Sequence, residues 1–82
     1  MGINIVDTAQ LGRLVRARRR RFGLRQAELA ALSGVGNRFL SELENGKSTL
    51  EIGRALTVLQ TLGLVLRVGE RSWRDFGETD AG

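Results

Sequence analysis

The sequence predicts a mainly α-helical domain whose last regular element is a single β-strand. Three observations point to it. Apolar residues recur three or four apart through most of the 82-residue chain, the spacing that lines one face of a helix. Gly23, Gly34, Gly46 and Gly63 divide the chain into four such stretches, and a glycine just past the last periodic residue is a common helix stop. Between Gly63 and Gly69 the pattern changes to Leu64, Val65, Leu66, Arg67 and Val68, a short branched run that reads as a strand. Proline is absent.

Residues 1–6 hold Ile3, Ile5 and Val6 and fit an arm or a short strand equally. Asp7 followed by Gln10 has the form of a capping box, so the first helix is expected over residues 8–22. Its inner stripe is Leu11, Leu14, Val15 and Phe22, with Gly12 and Ala17 as places where a neighbour approaches closely. Arg18 continues that stripe, so its stem is expected to be half buried with the guanidinium reaching out. Arg18 to Arg21 are four consecutive cations; at about 100° per residue only one or two face any single partner. The second helix is expected over 25–33, with Leu29, Ala30 and Leu32 apolar, and the third over 37–45, with Leu40 and Leu43 inward and Gly36 as its cap. Ser48-Thr49-Leu50-Glu51 repeats the capping-box spacing and is expected to open a fourth helix that runs to Leu62, with Leu56, Leu59 and Leu62 inward. An isolated strand leaves backbone groups without partners. Pairing of residues 64–68 with the same strand of a second copy, in a homodimer, answers that need. Residues 1–69 are thus expected to form one domain that includes the dimerisation strand, and 70–82 a flexible, partly acidic tail. Trp73 and Phe76 stand out there as possible contacts for a partner protein.

Composition narrows the chemistry. The chain has no cysteine and no histidine, which removes disulfides, thiolate and imidazole nucleophiles, and the usual structural zinc ligands. An enzyme is not expected, nor a metal or other cofactor. No apolar run approaches the roughly 20 residues that span a bilayer and no leader pattern opens the chain, so a cytoplasmic, nucleoid-associated protein is expected. The net charge of +4 is unevenly spread. Residues 1–47 carry +5 and residues 48–82 carry −1. Nearly all the cations are arginine, whose planar fork suits phosphate and guanine edges. A basic half on a small domain fits a polyanion-binding surface, although a solvated basic helix has the same composition.

Residues 25–46 have the geometry to use that charge. Two short amphipathic helices meet at a glycine turn, and such a pair can lay its second helix in the major groove of DNA, about 12 Å wide. Asn37, Arg38 and Ser41 lie at the start of the second helix of the pair. Asn can pair with adenine, Arg with guanine and Ser with either. Gln26 opens the preceding helix, where it can hold a phosphate and brace a recognition residue, and Asn45 and Lys47 follow the pair where a loop can grip phosphate. Glu28, Glu42 and Glu44 read as surface or capping groups, with an internal Glu–Arg pair also open.

The same residues carry a family resemblance. Gln26-x-Glu28-Leu29-Ala30-x-x-x-Gly34-Val35 followed by Leu40-Ser41-x-Leu43-Glu44-x-Gly46-Lys47 resembles the Cro/lambda-repressor (Xre-type) helix-turn-helix signature, and Arg19-x-x-x-Gly23-Leu24 fits its upstream end. With Leu56-x-Val58-Leu59-Gln60-x-Leu62-Gly63-Leu64 included, the chain looks most like HipB-type antitoxins, the DNA-binding partners of HipA-like serine/threonine kinase toxins. The resemblance covers residues 11–68. It implies a lambda-repressor-like domain of four to five helices, a homodimer joined through its carboxy-terminal strands, repression of its own operon from a palindromic operator, and neutralisation of a HipA-like kinase. A stand-alone regulator of the same family is the alternative. By position, Asn37, Arg38 and Ser41 would read bases, and Arg19, Arg25, Gln26, Asn45 and Lys47 would contact phosphate. Two positions depart from the family pattern. Arg25 replaces the usual Thr or Ser cap, a loss of about 1 kcal/mol unless compensated, and Arg18 replaces an aliphatic residue.

Overall fold

The computed structural model describes residues 2–70. It contains four helices, α1 (Thr8–Arg21), α2 (Gln26–Ser33), α3 (Asn37–Glu44) and α4 (Ile52–Thr61). Each is close to the expected span, and each closes the same way, with a glycine at φ between 71° and 80°. At the α2–α3 turn the Val35 N–H reaches Ala30 O at 3.0 Å and the Gly34 N–H reaches Ala31 O at 3.2 Å. A side chain on Gly34 would have to hold the left-handed backbone this turn requires. Three residues, Gly34 to Gly36, therefore suffice to redirect the chain into α3.

The core is a single cluster fed by every helix. Val15 from α1, Leu29 and Ala30 from α2, Leu40 and Leu43 from α3, and Ala55, Val58 and Leu59 from α4 are buried together with Leu62. In α4 these positions follow the i, i+3, i+4, i+7 spacing of one helix face. Leu11, Leu24, Val35, Phe39, Leu50, Leu56 and Leu64 pack around the cluster. Gly12 lets α1 and α3 come together, because a Cβ there would meet Leu43 O and lie 2.6 Å from Glu44 O. Arg18 is half buried as expected, but its head is tied down. Its Nε donates to Leu62 O at 3.1 Å, and its guanidinium stands 5.2 Å from the centroid of the Phe22 ring.

Several sequence expectations are corrected. Leu32 is 65 % exposed: the inner face of α2 is centred between Leu29, Ala30 and Ser33, which leaves Leu32 about a quarter turn away. Phe22 lies past the last turn of α1 and is exposed, with the Arg18 guanidinium over its ring, and Ala17 faces solvent. The fourth helix starts at Ile52 with Glu51 as its cap position, so the spacing of Ser48 and Glu51 does not make a capping box. Residues 48–50 instead carry the chain from α3 to α4, with Leu50 packed on the core. The arm over residues 2–6 is irregular, and so are residues 64–70. The lone chain holds no strand among the described residues.

Candidate nucleic-acid interface

The amino-terminal end of α3 is held out into solvent by a bare backbone cap. Gly36 is the cap position, and no side chain closes the first turn. Asn37 and Arg38 are exposed, with the Arg38 side chain 91 % accessible, and Ser41 sits half buried one turn further along. Leu40 and Leu43 anchor the opposite face of the helix in the core. The structure thus gathers the three proposed base readers at the outer start of one short helix. A fourth group joins them. Glu42 Oε2 lies 3.3 Å from Arg38 Nε and 3.3 Å from Lys47 Nζ. The Lys47 hydrogen bond, with help from Arg38, holds the Glu42 carboxyl below its ordinary pKa against the opposing effect of burial.

Behind this surface lies a buried polar network that joins three helices. Arg19 Nε donates to Glu44 Oε2 at 2.6 Å and its Nη2 to Glu44 Oε1 at 2.9 Å, while its Nη1 donates to Leu24 O at 2.8 Å. Gln26 Nε2 donates to Glu44 Oε1 at 2.9 Å. The end of α3 is thereby bound at once to α1 and to the start of α2. Burial pushes the Glu44 pKa up, but the hydrogen bonds from Arg19 and Gln26 and the charges of Arg19 and Arg16 outweigh it and hold the group ionised. The Arg19 pKa is raised chiefly by its hydrogen bond to Glu44. Side-on pairing of this kind satisfies charge and direction together.

This network corrects the expected phosphate role of Arg19. Its side chain is only 10 % exposed and its fork is spent on Glu44 and Leu24 O, so it holds the scaffold instead of facing a phosphate. Gln26, expected to hold a phosphate and brace a recognition residue, donates to Glu44. Arg25 is exposed and no side chain replaces the missing Ser/Thr cap, but the other half of a capping box forms: the Arg25 N–H donates to Glu28 Oε1 at 2.7 Å. Arginine has no acceptor, so Glu28 alone closes this end of α2.

The loop after α3 is pinned to α1. Thr8 Oγ1 donates to Gly46 O at 2.9 Å, and a Cβ on Gly46 would lie 2.7 Å from Ala9 Cα, besides sitting at φ 80°. Asn45 and Lys47, on either side of this contact, remain exposed. The start of α1 is fixed in turn by Asp7, which accepts the Gln10 N–H at 2.8 Å, while Gln10 Oε1 accepts the Val6 N–H at 2.9 Å. The start of α2, the end of α3 and the loop after α3 are thus all tied to α1.

The expected dimer strand lies apart from this surface. Val65 and Val68 are 75 % and 93 % exposed, Leu66 and Arg67 are also exposed, and Leu64 is half buried. Leu56, Leu59, Gln60, Leu64, Val65 and Leu66 line an open groove of about 320 Å³ beside them. Trp73 and Phe76 fall outside the described residues. Among the described residues there is no cluster of three or more potential metal ligands, and no helix is long and apolar enough to cross a membrane. Sequence reasoning read Glu42 and Glu44 as surface or capping groups and left an internal Glu–Arg pair open; Glu44 with Arg19 is that pair. For Glu44 a signal was present, since it falls with Leu40 and Leu43 on the inner stripe of α3.

Comparison with known proteins fits the arrangement. The chain is 50 % identical over 74 residues to an uncharacterized HTH-type transcriptional regulator, y4mF, of Sinorhizobium fredii, across 87 % of this chain and 97 % of that one. Its fold superposes with a TM-score of 0.76 and 25 % identity on a chain of a HipA-HipB-O2-O3 complex, over 84 % of this chain and 97 % of that chain. A chain of a HipB-O4 20mer complex matches with the same TM-score, identity and coverage. Residues 15–66, from the middle of α1 to beyond α4, match the helix-turn-helix family. An exposed short helix braced on a buried Arg–Glu–Gln network, in a chain so matched along most of its length, makes this protein a member of the helix-turn-helix family of transcriptional regulators.

Proposed function

We propose that this protein is a sequence-specific DNA-binding repressor that reads the major groove with Asn37, Arg38 and Ser41. Arg25, Gln26, Asn45 and Lys47 hold the flanking phosphates. The observation that carries this reading is the solvent-facing start of α3, on a helix whose far end is held by the Arg19–Glu44–Gln26 network. A preformed helix places its side chains against base edges without a further cost of ordering its backbone on binding.

The functional unit is a homodimer. Residues 64–68 offer an exposed apolar edge beside a groove, and pairing with a second copy satisfies their backbone groups and covers Val65 and Val68. Two copies then present two α3 helices to a palindromic operator. The protein serves as the antitoxin of a HipA-like serine/threonine kinase and represses its own operon. Support for this comes from the fold similarity to HipB chains, one of them from a complex with HipA. Sequencing of all binding sites in the native host tests both parts, because it is expected to return one palindrome upstream of the protein's own gene. Co-purification of a kinase encoded beside that gene is the expected second result. A palindrome without a kinase partner would leave the stand-alone regulator, and random occupancy would end the repressor reading.

A further inference from the structure

The charges of α3 run against its dipole. Arg38 occupies the first turn, where a cation is disfavoured, and Glu42 the last turn, where an anion is disfavoured. An Arg–Glu pair in this order is also the weaker arrangement for a helix. Helix stability therefore does not account for the pair. Glu42 nevertheless meets both Arg38 and Lys47 through one oxygen, at 3.3 Å each. Both cations belong to the proposed DNA surface, one as a base reader and one as a phosphate contact.

Building on the DNA-binding reading, we propose that Glu42 is a specificity-determining residue, an internal counter-ion for Arg38 and Lys47 that duplex DNA must displace. Any duplex offers phosphate, which gains Coulomb attraction from the two cations but meets repulsion from the Glu42 carboxylate and must break its two contacts. A duplex with guanine under Arg38 offers a forked pair of acceptors, O6 and N7, in place of the single oxygen that Arg38 gives up. The cost falls on every sequence, while the full return comes only from the right one. Glu42 thereby lowers affinity for random DNA more than affinity for the operator.

The test uses the full chain and two probes: a duplex selected by the wild-type protein from a random pool, and a random duplex of the same length, each titrated across a KCl series. Glu42→Gln keeps the shape and removes the charge. It is expected to tighten random-duplex binding by about three- to tenfold, the size of one or two exposed ion pairs. The log–log salt slope is expected to steepen by about 0.9 for each added phosphate contact, and the specific-to-random ratio to fall. The same substitution in an Arg38→Ala, Lys47→Ala background is expected to give a clearly smaller gain in random binding, because only the carboxylate's own repulsion is relieved and the cations it would release are gone. An equal gain in that background would mean that only net charge matters, and would overturn the proposal. So would an unchanged ratio in the single variant, with operator selection intact. If the wild-type protein selects no duplex at all, the DNA-binding reading itself falls and this inference with it.

Discussion

Glu44 is a charged residue that the fold cannot do without, and its neighbour two positions back shows how much depends on facing. The Glu44 side chain is 2 % exposed and accepts from Arg19 and Gln26, whereas that of Glu42 is 30 % exposed and accepts from Arg38 and Lys47. Two residues along a helix is a turn of about 200°, enough to send one inward and the other outward. Glu44→Gln leaves the buried Arg19 cation without its anion, and a loss of roughly 3–5 kcal/mol is expected, read as a lower midpoint in thermal or urea unfolding. The Glu44 pKa is lowered in the folded state. Its contribution is therefore full above the unfolded carboxyl pKa, about 4.3, and drains away as pH falls through the folded value. Wild-type melting temperature should drop over that acidic range, and the Glu44→Gln variant should show a shallower dependence. Arg38→Ala carries the opposite signature. Stability is expected to stay unchanged, specific duplex binding to weaken by roughly 1–3 kcal/mol, and random binding to weaken less. Equal losses on specific and random duplexes in gel-shift titrations would remove Arg38 from the base-reading set.

At the scale of elements, the stops were more legible than the starts. Four glycines past four periodic stretches end all four helices, because only the local backbone decides where a left-handed turn is affordable. Starts depend on more than the cap. Asp7 accepts the Gln10 N–H as the spacing predicts, with Gln10 reaching back to Val6 and not to Asp7, while Ser48 and Glu51, at the same spacing, form no box, since the chain must first cross from α3 to α4. Close approach is likewise a property of two elements. Gly12 and Ala17 are both small, yet Gly12 faces the end of α3 and Ala17 faces solvent. Gly12→Ala forces the Cβ into the carbonyls of Leu43 and Glu44, and destabilisation of at least about 1–3 kcal/mol is expected. Chemical unfolding measures it, with Gly53→Ala as a control, because a Cβ there meets nothing within 4 Å.

For the whole molecule, the question is how many chains make the working unit. One 82-residue chain is near the size where a single core is thin. Residues 64–68 leave exposed apolar groups that a second copy would cover. Val65→Pro removes one backbone donor from the proposed pairing, and sedimentation is expected to show the dimer shifted toward monomer. An unchanged dimer would place the interface elsewhere. Because two half-sites are bound together only by a dimer, the same variant is expected to lose operator affinity while α3 stays intact.

Helix number, helix order, the turn between α2 and α3 and the solvent-facing start of α3 follow from the sequence by itself. These rest on periodicity and on glycine, which act within a few residues. Tertiary structure decided which arginine faces inward. Arg18, Arg19, Arg20 and Arg21 are chemically identical and adjacent, and Arg19, on one face of α1 with Gly12 and Val15, is the one that packing sets against Glu44 of α3. It also decided the exposure of Leu32 and Phe22 and the sharing of Glu42 between Arg38 and Lys47. Each of these depends on groups brought together by packing from separate stretches of chain, and no local pattern records which face a neighbour will take.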